Sequence, residues 1–356
     1  ILAEKAQWPL FAEPTSGARA GPAAIRTYRL LLGTHLRAQI ERVVVLGHPT
    51  LSRPVTALIS DPGLEILSVP TRAGIATDPG RVATVLDGVP DVEHPDDPGW
   101  LRRWTRADAL LSAALDAQVD AWGAVLAALG ESAWLHPLVL AREVAAAVGP
   151  HTTLVVGSSS PVRDLDVMMT PYPPRQRRLV VANRGLAGID GTVSTALGVA
   201  LGRREPARQL AVMGDVSFLH DAPGLFLGPD EPRPDLTIVV VNDDGGSIFT
   251  LLEQGAPEFA AAFERVFATP HHADLAALCA ASGTSYRLLT TAPELREALH
   301  RSPTGTEVIE VRVPRALRRA EAHAMADLAR MVIDGMPGTT PGTTPGTTPG
   351  NAGAVR

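Results

Sequence analysis

The sequence predicts an α/β protein with two Rossmann-like domains, each built on a doubly wound parallel sheet. Short β-branched runs that end in Gly or a polar residue alternate with helix-like segments, which is typical of parallel α/β layers. The 356 residues exceed one ordinary domain of about 100–200 residues. A long segment rich in Ala and Leu ends at Gly130, and the pattern restarts after it. We therefore expect one domain over residues 1–130 and a second over 131–336, with the segment 88–99, rich in Pro, Gly and Asp, as the alternative boundary.

The first domain is predicted from three apolar runs and the helical segments between them. Val43-Val44-Val45-Leu46-Gly47 is a continuous apolar run ended by Gly, the pattern of a strand buried in a parallel sheet. The other predicted strands cover residues 64–69 and 82–86, and the predicted helices cover 26–40, 54–60 and 101–129.

The second domain is predicted to collect polar residues along one rim of its sheet. Ligands of open α/β sheets bind beyond the carboxyl ends of the strands, so the residues after each strand identify the expected site. The predicted helices cover 137–148 and 192–201, and the predicted strands cover 152–157, 178–181, 209–213 and 236–241. These strands are followed in turn by Ser158-Ser159-Ser160, Asn183-Arg184-Gly185, Gly214-Asp215 and Asn242-Asp243.

Composition excludes several classes of protein. The chain has 32 Lys and Arg against 38 Asp and Glu, a formal net charge of −6, whereas surfaces that bind nucleic acid are usually basic. The single cysteine, Cys279, excludes a disulfide framework within one chain and suits the cytoplasm. No uninterrupted apolar run approaches the ~18 residues of a membrane span. We expect a cytoplasmic protein with no nucleic-acid partner and no membrane span.

Both ends of the chain carry an expectation. The chain opens on Ile1 and soon reaches Trp8-Pro9-Leu10-Phe11, a start that is typical of the middle of a longer protein. Pro337-Gly338-Thr339-Thr340 recurs in register as far as Gly350, and such repeats bury too little apolar surface to offset their ordering entropy. We expect residues 337–356 to be a disordered tail.

Two acids, Asp215 and Asp243, each follow an apolar strand directly. Mg²⁺ prefers oxygen ligands and commonly holds the phosphates of a substrate or cofactor. These two carboxylates and the carbonyl of Gly245 are therefore candidate metal ligands, with phosphate oxygens and water completing the shell. The competing interpretation is that each Asp caps the helix or turn that follows it.

The order of these residues resembles the thiamine-diphosphate signature, in which Gly-Asp-Gly is followed, one strand later, by Asn-Asn. Val216 stands where the third Gly is usual, and Asp243 stands where the second Asn is usual. Asp243 still offers oxygen ligands, with one more negative charge, whereas Val216 changes the turn that follows the first strand.

Longer motifs narrow the resemblance to one family. Over about residues 5–330 the chain resembles the actinobacterial form of the 2-succinyl-5-enolpyruvyl-6-hydroxy-3-cyclohexene-1-carboxylate synthase (MenD) family. The motifs that carry this resemblance lie, in chain order, at residues 8–14, 157–164, 182–191, 214–221, 242–249 and 269–271.

The resemblance implies an activity and its cofactors. The family joins 2-oxoglutarate to isochorismate with loss of carbon dioxide, in menaquinone biosynthesis, using thiamine diphosphate and Mg²⁺ or Mn²⁺. Both substrates carry carboxylates, which suit bidentate recognition by Arg163 and Arg184, with Ser159 as a further donor. Arg53 is a weaker candidate for the isochorismate side or for a regulatory site. The residues that the resemblance assigns to the cofactor are Ile189, Gly214, Asp215, Val216, Ser217, Asp243, Gly245, Gly246, Ile248 and Phe249.

Ile189 matches the apolar wedge that bends the cofactor in this superfamily, and Ile248 and Phe249 would pack on the cofactor. A core role is the alternative for all three residues. His220, His271 and His272 have no paired Cys or Glu at metal-ligand spacing and are interpreted as structural.

The family resemblance also implies a pyrimidine-binding domain, which none of residues 1–356 match. In the family, a Glu in a preceding pyrimidine-binding domain protonates the N1′ atom of the cofactor. No residue here matches that Glu, so the expectation is a fragment or split chain that is inactive alone. Its expected partners are further copies, as a dimer or tetramer, or a separate chain that carries the pyrimidine-binding domain.

Other functions stay open. Another thiamine-diphosphate enzyme, such as an acetolactate synthase or a 2-oxoacid decarboxylase, would need a site for a small uncharged group rather than two arginines. A non-catalytic module that keeps cofactor affinity is a further alternative. A plain NAD-binding protein is disfavoured because no Gly-x-Gly-x-x-Gly follows the first strand.

Overall fold

The computed structural model describes residues 1–70, 74–129, 134–174, 176, 178–183, 188–203 and 208–336. Gly130, Arg184 and the predicted tail at 337–356 lie outside the described residues.

The described strands form two parallel sheets, and every strand pair in them is parallel. The first sheet has the order β1-β2-β3, and the second has the order β5-β4-β6-β7-β9-β8. The predicted α/β class with parallel sheets is therefore confirmed. The strands are β1 (Arg42–Leu46), β2 (Glu65–Val69), β3 (Thr84–Val85), β4 (Thr152–Val156), β5 (Leu179–Val181), β6 (Arg208–Gly214), β7 (Leu236–Asn242), β8 (Ser285–Leu289) and β9 (Thr306–Arg312).

Helices cover the sheets and the loops between the strands. The α-helices are α1 (Leu2–Ala6), α2 (Tyr28–Leu31), α3 (Arg53–Ile59), α4 (Pro98–Ala128), α5 (Pro137–Ala147), α6 (Ser160–Met168), α7 (Thr192–Gly202), α8 (Asp215–His220), α9 (Ala260–Phe263), α10 (Leu275–Ser282), α11 (Ala292–His300) and α12 (Arg318–Asp334). Short 3₁₀-helices lie at His35–Gln39, Ala222–Leu225, Ser247–Leu251, Glu253–Gly255 and Pro257–Phe259, and a π-helical turn covers Glu264–Ala268.

The predicted helix over 26–40 is instead divided into α2 and a 3₁₀-helix. Gly33, a poor helix former, follows α2. The Thr34 side chain then accepts the N–H of Leu36, which satisfies a donor at the start of the 3₁₀-helix. A local cap thus competes with continuation of the α-helix.

Helix α4 buries one stripe of side chains at three- and four-residue spacing: Trp104, Ala107, Leu111, Leu115 and Val119. Among the described helices it is the one long and apolar enough to cross a membrane, judged by length and composition. Length and composition alone are weak evidence for a membrane span, because core helices of soluble proteins meet the same criteria.

The two sheets are joined by both ends of the described chain. Near the start, the buried Arg19 donates to the carbonyls of Ala12, Arg26, Asp166 and Met169 and pairs with the Asp166 carboxylate, at the end of α6. Near the other end, Ala329 and Ile333 of α12 pack in one apolar cluster with residues of α2 and α4.

Candidate functional site

The carboxyl ends of β4, β6 and β7 lie side by side and form the strand-end rim of the larger sheet. β6 pairs with β4 on one side and with β7 on the other, and the strand order departs from β4 in both directions. A crevice at such a reversal is where open α/β sheets bind ligands. Ser158, Asp215 and Asp243 therefore share the edge that the sequence predicted.

Asp215 is buried at the first position of α8 and accepts three hydrogen bonds. Its Oδ1 accepts the N–H of Val216 at 2.9 Å, and its Oδ2 accepts the N–H of Gly245 at 2.8 Å. The same Oδ2 lies 2.9 Å from Nε2 of His271. Burial raises the pKa of Asp215, and the His271 and backbone donors oppose that rise. The bond from Gly245 joins the residue after β6 to the loop after β7.

Asp243 carries a buried oxygen with no partner. Its Oδ1 has no hydrogen-bond partner among the described residues. Burial, and then the negative charge of Asp215, raise the pKa of Asp243 to about 7. A buried polar atom without a partner is costly, so this oxygen indicates that the rim is built for a further ligand.

Gly245 and Gly246 allow the backbone after Asp243 to pack closely against the segment near Ala268. Gly245 has φ +138°, and a Cβ on it would lie 2.2 Å from the carbonyl oxygen of Ala268. A Cβ on Gly246 would lie 2.7 Å from the Phe249 ring. The N–H of Gly246 donates to the Ala268 carbonyl at 2.8 Å. Side chains at these two positions would displace the loop that holds Asp243.

Two arginines near the start of α12 donate hydrogen bonds to the backbone of the loop after β7. Arg315 donates to the carbonyls of Asp243, at 3.1 Å, and Asp244. Arg319 donates to the carbonyls of Thr250, at 2.8 Å, and Leu252, at 3.0 Å. The loop is therefore fixed on both sides by hydrogen bonds to its backbone.

His271 belongs to the rim, whereas its sequence spacing predicts only a structural role. Besides its contact with Asp215, its backbone N–H donates to Oδ1 of Asp244 at 3.2 Å, as does that of His272 at 2.8 Å. Asp244 has φ +56°, a left-handed conformation that Asp tolerates better than most residues. His271 has no Cys or Glu partner at metal-ligand spacing, so only the motif at 269–271 could have identified it as a rim residue.

The start of α6 brings a second group of polar residues to the rim. Arg163 Nη1 donates to the Ser159 carbonyl at 2.8 Å, and Ser160 Oγ lies 3.3 Å from Ser247 Oγ in the loop after β7. Ser158 Oγ is buried without a partner among the described residues. Behind this helix start, Arg318 forms a two-bond ion pair with Asp164, at 3.0 and 2.8 Å.

The other predicted cofactor residues vary in burial. Ile189, Gly214, Val216 and Ile248 are half-buried, Ser217 is buried, and Phe249 is more exposed and contacts the Phe267 ring. Arg184 lies outside the described residues.

Arg53 forms an ion pair with Glu253, in the segment after β7. Its guanidinium donates to both carboxylate oxygens of Glu253, at 2.8 and 3.2 Å, and both side chains are exposed. This bond is the main reason that the pKa of Glu253 falls to about 2. Arg53 thus links α3 to the segment after β7.

Within the described ranges, no three His, Cys, Asp or Glu side chains gather in a metal-holding group. A cation here would therefore depend on the two carboxylates, backbone carbonyl oxygen and ligands from outside the chain. That donor set suits a hard divalent cation that also binds phosphate.

Comparison with solved structures gives the fold class of the chain. The structure is similar to that of benzoylformate decarboxylase from Polynucleobacter necessarius, with a TM-score of 0.54 and 17% sequence identity, over 88% of this chain and 58% of that chain. At this identity the likeness shows the parallel α/β fold alone. No protein-family profile matches the chain.

Sequence comparison then identifies similar proteins. The chain is 51% identical over 327 residues to a 2-succinyl-5-enolpyruvyl-6-hydroxy-3-cyclohexene-1-carboxylate synthase from Nocardioides sp., covering 90% of this chain and 59% of the relative. Synthases of the same name from Kineococcus radiotolerans (44%) and Saccharopolyspora erythraea (40%) match 93% of this chain and 58% and 57% of their own lengths. The chain is similar in sequence to synthases of this name, which confirms the resemblance, and it spans somewhat over half the length of these relatives.

Proposed function

We propose that this chain forms the diphosphate- and metal-binding part of a thiamine-diphosphate synthase that joins 2-oxoglutarate to isochorismate with loss of carbon dioxide. The observation that carries the proposal is the buried, unpartnered Oδ1 of Asp243 beside the buried carboxylate of Asp215. The names of the relatives give the product of such a reaction, and the family resemblance supplies its substrates and cofactor.

The residues at the rim fit Mg²⁺, or Mn²⁺, together with a diphosphate. Two neighbouring carboxylates without a cation repel each other, which contributes to the raised pKa of Asp243. A divalent cation would offset this repulsion and supply a partner for the orphan oxygen. Asp215, Asp243 and the Gly245 carbonyl are the proposed ligands from this chain.

Thiamine diphosphate would supply the carbanion chemistry, and this chain would bind and orient it. Gly246 and the 3₁₀-helix Ser247–Leu251 would bind the diphosphate, and Ile248 and Phe249 would exclude water beside it. Ile189 is the proposed wedge under the cofactor. Gly214, Val216 and Ser217 shape the turn after β6.

Substrate selection would depend on charge. Arg163, held against the Ser159 carbonyl, and Arg184 are the proposed partners of the 2-oxoglutarate carboxylates. Arg53 remains a proposed contact only for the isochorismate side or a regulator, and its ion pair with Glu253 would have to open first. A cytoplasmic location and a homo-oligomer complete the proposal.

The cofactor proposal is tested by calorimetric titration of the 356-residue chain with thiamine diphosphate, with and without Mg²⁺. Asp243→Asn and Asp215→Asn should each weaken the Mg²⁺-dependent affinity by about 100-fold, the order expected from losing a charge-assisted contact of ~3 kcal/mol. Asp244→Asn is the matched control, because its Oδ1 can still accept the N–H groups of His271 and His272. Equal affinity in Asp243→Asn and Asp244→Asn would contradict the assignment.

The substrate proposal is tested separately, by turnover of 2-oxoglutarate and pyruvate. The assay uses this chain with the remainder of the synthase length supplied from the Nocardioides relative. Arg163→Ala should lower kcat/KM for 2-oxoglutarate at least ~10-fold more than for pyruvate, since a charge-assisted hydrogen bond contributes about 1.5–3 kcal/mol. Equal losses on both substrates would contradict a role in substrate selection and would point to misfolding or to a contact of Arg163 with the cofactor.

A further inference from the structure

His271 reaches Asp215 from a distant part of the chain. The distance from His271 Nε2 to Asp215 Oδ2 is 2.9 Å, although the two residues are 56 positions apart. The His271 side chain is only 18% exposed, and that of Asp215 is almost completely buried. The contact therefore forms where little water competes with it, which strengthens a hydrogen bond.

The second ring nitrogen of His271 shows where the imidazole proton lies. Nδ1 accepts the backbone N–H of Ala273 at 3.0 Å. Asp244 Oδ1 lies 3.6 Å from the same Nδ1, which is too far for a hydrogen bond. A ring nitrogen that accepts a hydrogen bond carries no proton, so the proton of the neutral ring is on Nε2. His271 therefore donates Nε2–H to Asp215 as an uncharged group.

The two oxygens of the Asp215 carboxylate have unequal numbers of donors. Oδ2 accepts both the N–H of Gly245 and the Nε2–H of His271, which together use its two lone pairs. Oδ1 accepts only the N–H of Val216 among the described residues, so one of its lone pairs stays open. Because a cation needs an open lone pair, Oδ1 is the oxygen of Asp215 that remains for it.

The backbone around His271 is tied to the loop after β7. Asp244 Oδ1 accepts the N–H of His271 at 3.2 Å and that of His272 at 2.8 Å. Asp244, Thr269 and His272 have φ values of +56°, +46° and +48°, in a left-handed region that residues other than Gly adopt uncommonly. Strained backbone of this kind persists only where the surrounding structure holds it, and it clusters at functional sites. These bonds fix the point from which the His271 ring reaches Asp215.

We propose that His271 is a positioning residue for the divalent cation: its Nε2–H holds Oδ2 of Asp215 and so keeps Oδ1 free for the metal. The inference rests on the proposed cation site at Asp215 and Asp243. An uncharged donor suits this role, because a Lys or Arg in its place would offset the negative charge that attracts the cation. Groups that hydrogen-bond to a metal ligand commonly account for about 10–100-fold in metal affinity.

A purely structural role of His271 has a different consequence. The contact would then only satisfy a buried carboxylate, so its loss would lower the free energy of unfolding without changing the affinity for the cation. Variants that keep or remove the donor at the position of Nε2 separate the two roles. Urea unfolding shows which of these variants are folded under the conditions of the binding measurement.

Calorimetric titration of Mg²⁺ into the 356-residue chain, with thiamine diphosphate in excess, measures the affinity for the cation. His271→Met removes the donor with little change in side-chain length and should weaken Mg²⁺ binding by about 10–100-fold. His271→Gln keeps an N–H donor near the position of Nε2 and should restore most of this affinity. His272→Asn is the matched control, because the exposed His272 side chain contacts Asp244 and Asn tolerates the left-handed backbone.

NMR of the imidazole nitrogens tests the geometry without cofactor or cation. Long-range proton–nitrogen spectra distinguish protonated from unprotonated ring nitrogens, and the signals of His271 are those that disappear in His271→Gln. The parent chain at neutral pH should show a protonated Nε2 and an unprotonated Nδ1 at this residue.

The expected result is this tautomer, a loss of Mg²⁺ affinity in His271→Met, its recovery in His271→Gln and no change in His272→Asn. A protonated Nδ1, or equal losses in the Met and Gln variants, would overturn the positioning role. Parent-like Mg²⁺ affinity in His271→Met, with a loss in Asp215→Asn, would overturn it as well and leave the proposed cation site standing. Parent-like affinity in both His271→Met and Asp215→Asn would overturn the cation site together with this inference.

Discussion

Gly245→Ala and Gly214→Ala give opposite expectations at two glycines of the same rim. At Gly245 the φ of +138° lies in a region that is essentially restricted to glycine, at a cost of ~1–3 kcal/mol for another residue. The new Cβ would also lie 2.2 Å from the Ala268 carbonyl oxygen and 3.1 Å from its carbon, and overpacking of this kind costs a further ~1–3 kcal/mol. Gly245→Ala should therefore lower the free energy of unfolding by about 2–6 kcal/mol, unless the loop after β7 moves.

Gly214→Ala should be neutral or slightly stabilising. Gly214 has φ −74° and ψ 160°, which alanine adopts readily, and no atom lies within 4 Å of the position of its Cβ. Alanine at such a position reduces the entropy of the unfolded chain and can add ~0.4–1 kcal/mol.

Urea unfolding of the two variants and the parent chain measures these changes directly. Hydrogen exchange at residues 243–249 detects a loop that moves instead of lowering the global stability, and calorimetry then shows weaker Mg²⁺-dependent binding of thiamine diphosphate. If Gly245→Ala matches the parent chain in stability, exchange and binding, the close packing of this loop against Ala268 is refuted.

Two buried groups away from the rim, Arg19 and Cys279, give further predictions. Arg19→Met should lower the free energy of unfolding by ~3–5 kcal/mol, because it leaves the Asp166 carboxylate buried without its closest charged partner. Arg29 lies 3.9 Å from the same carboxylate and is partly exposed, so Arg29→Met should cost at most ~1 kcal/mol. Similar urea midpoints for the two variants would contradict this. Burial raises the pKa of Cys279 to about 11, so a disulfide reagent at pH 8 should label it only after unfolding. The stability that comes from keeping the Cys279 thiol protonated is complete below pH ~9 and is lost as the pH rises toward 11. Cys279→Ala should therefore reduce the fall in the free energy of unfolding over this pH range. An unchanged pH dependence of stability would argue against a buried, protonated thiol.

The sequence predicted most of the strand-end rim because its strands are apolar runs that end abruptly in polar residues. The apolar runs that contain Val212 and Val241 can be recognised from neighbouring residues alone. The parallel pairing of β6 and β7 then places Asp215 and Asp243 on the same edge of the sheet. β9 was not predicted, since Glu307 and Glu310 interrupt its apolar run. In the structure both are buried and paired, Glu310 with Tyr286 and Arg312.

Contacts between distant segments explain what else was not predicted. The contact of His271 with Asp215 and the bonds from Arg315 to the carbonyls of the loop after β7 join residues far apart in the chain, with no spacing rule to identify them. The division of the predicted helix over 26–40 has a local cause in Gly33 and Thr34, and a capping analysis of that segment would have found it.

The position of α12 has a consequence for how the protein is made. Glu321 pairs with the buried His136, 185 positions earlier, and Ala329 and Ile333 complete the apolar cluster around Trp104. At the usual synthesis rate of ~5–20 residues per second, the ribosome needs roughly 10–40 s to progress from one partner to the other. During that interval the apolar stripe of α4 has been synthesised but is not yet covered by α12. We expect the nascent chain to be a chaperone client over this stretch, and its first half to acquire resistance to proteolysis only after α12 has left the ribosome.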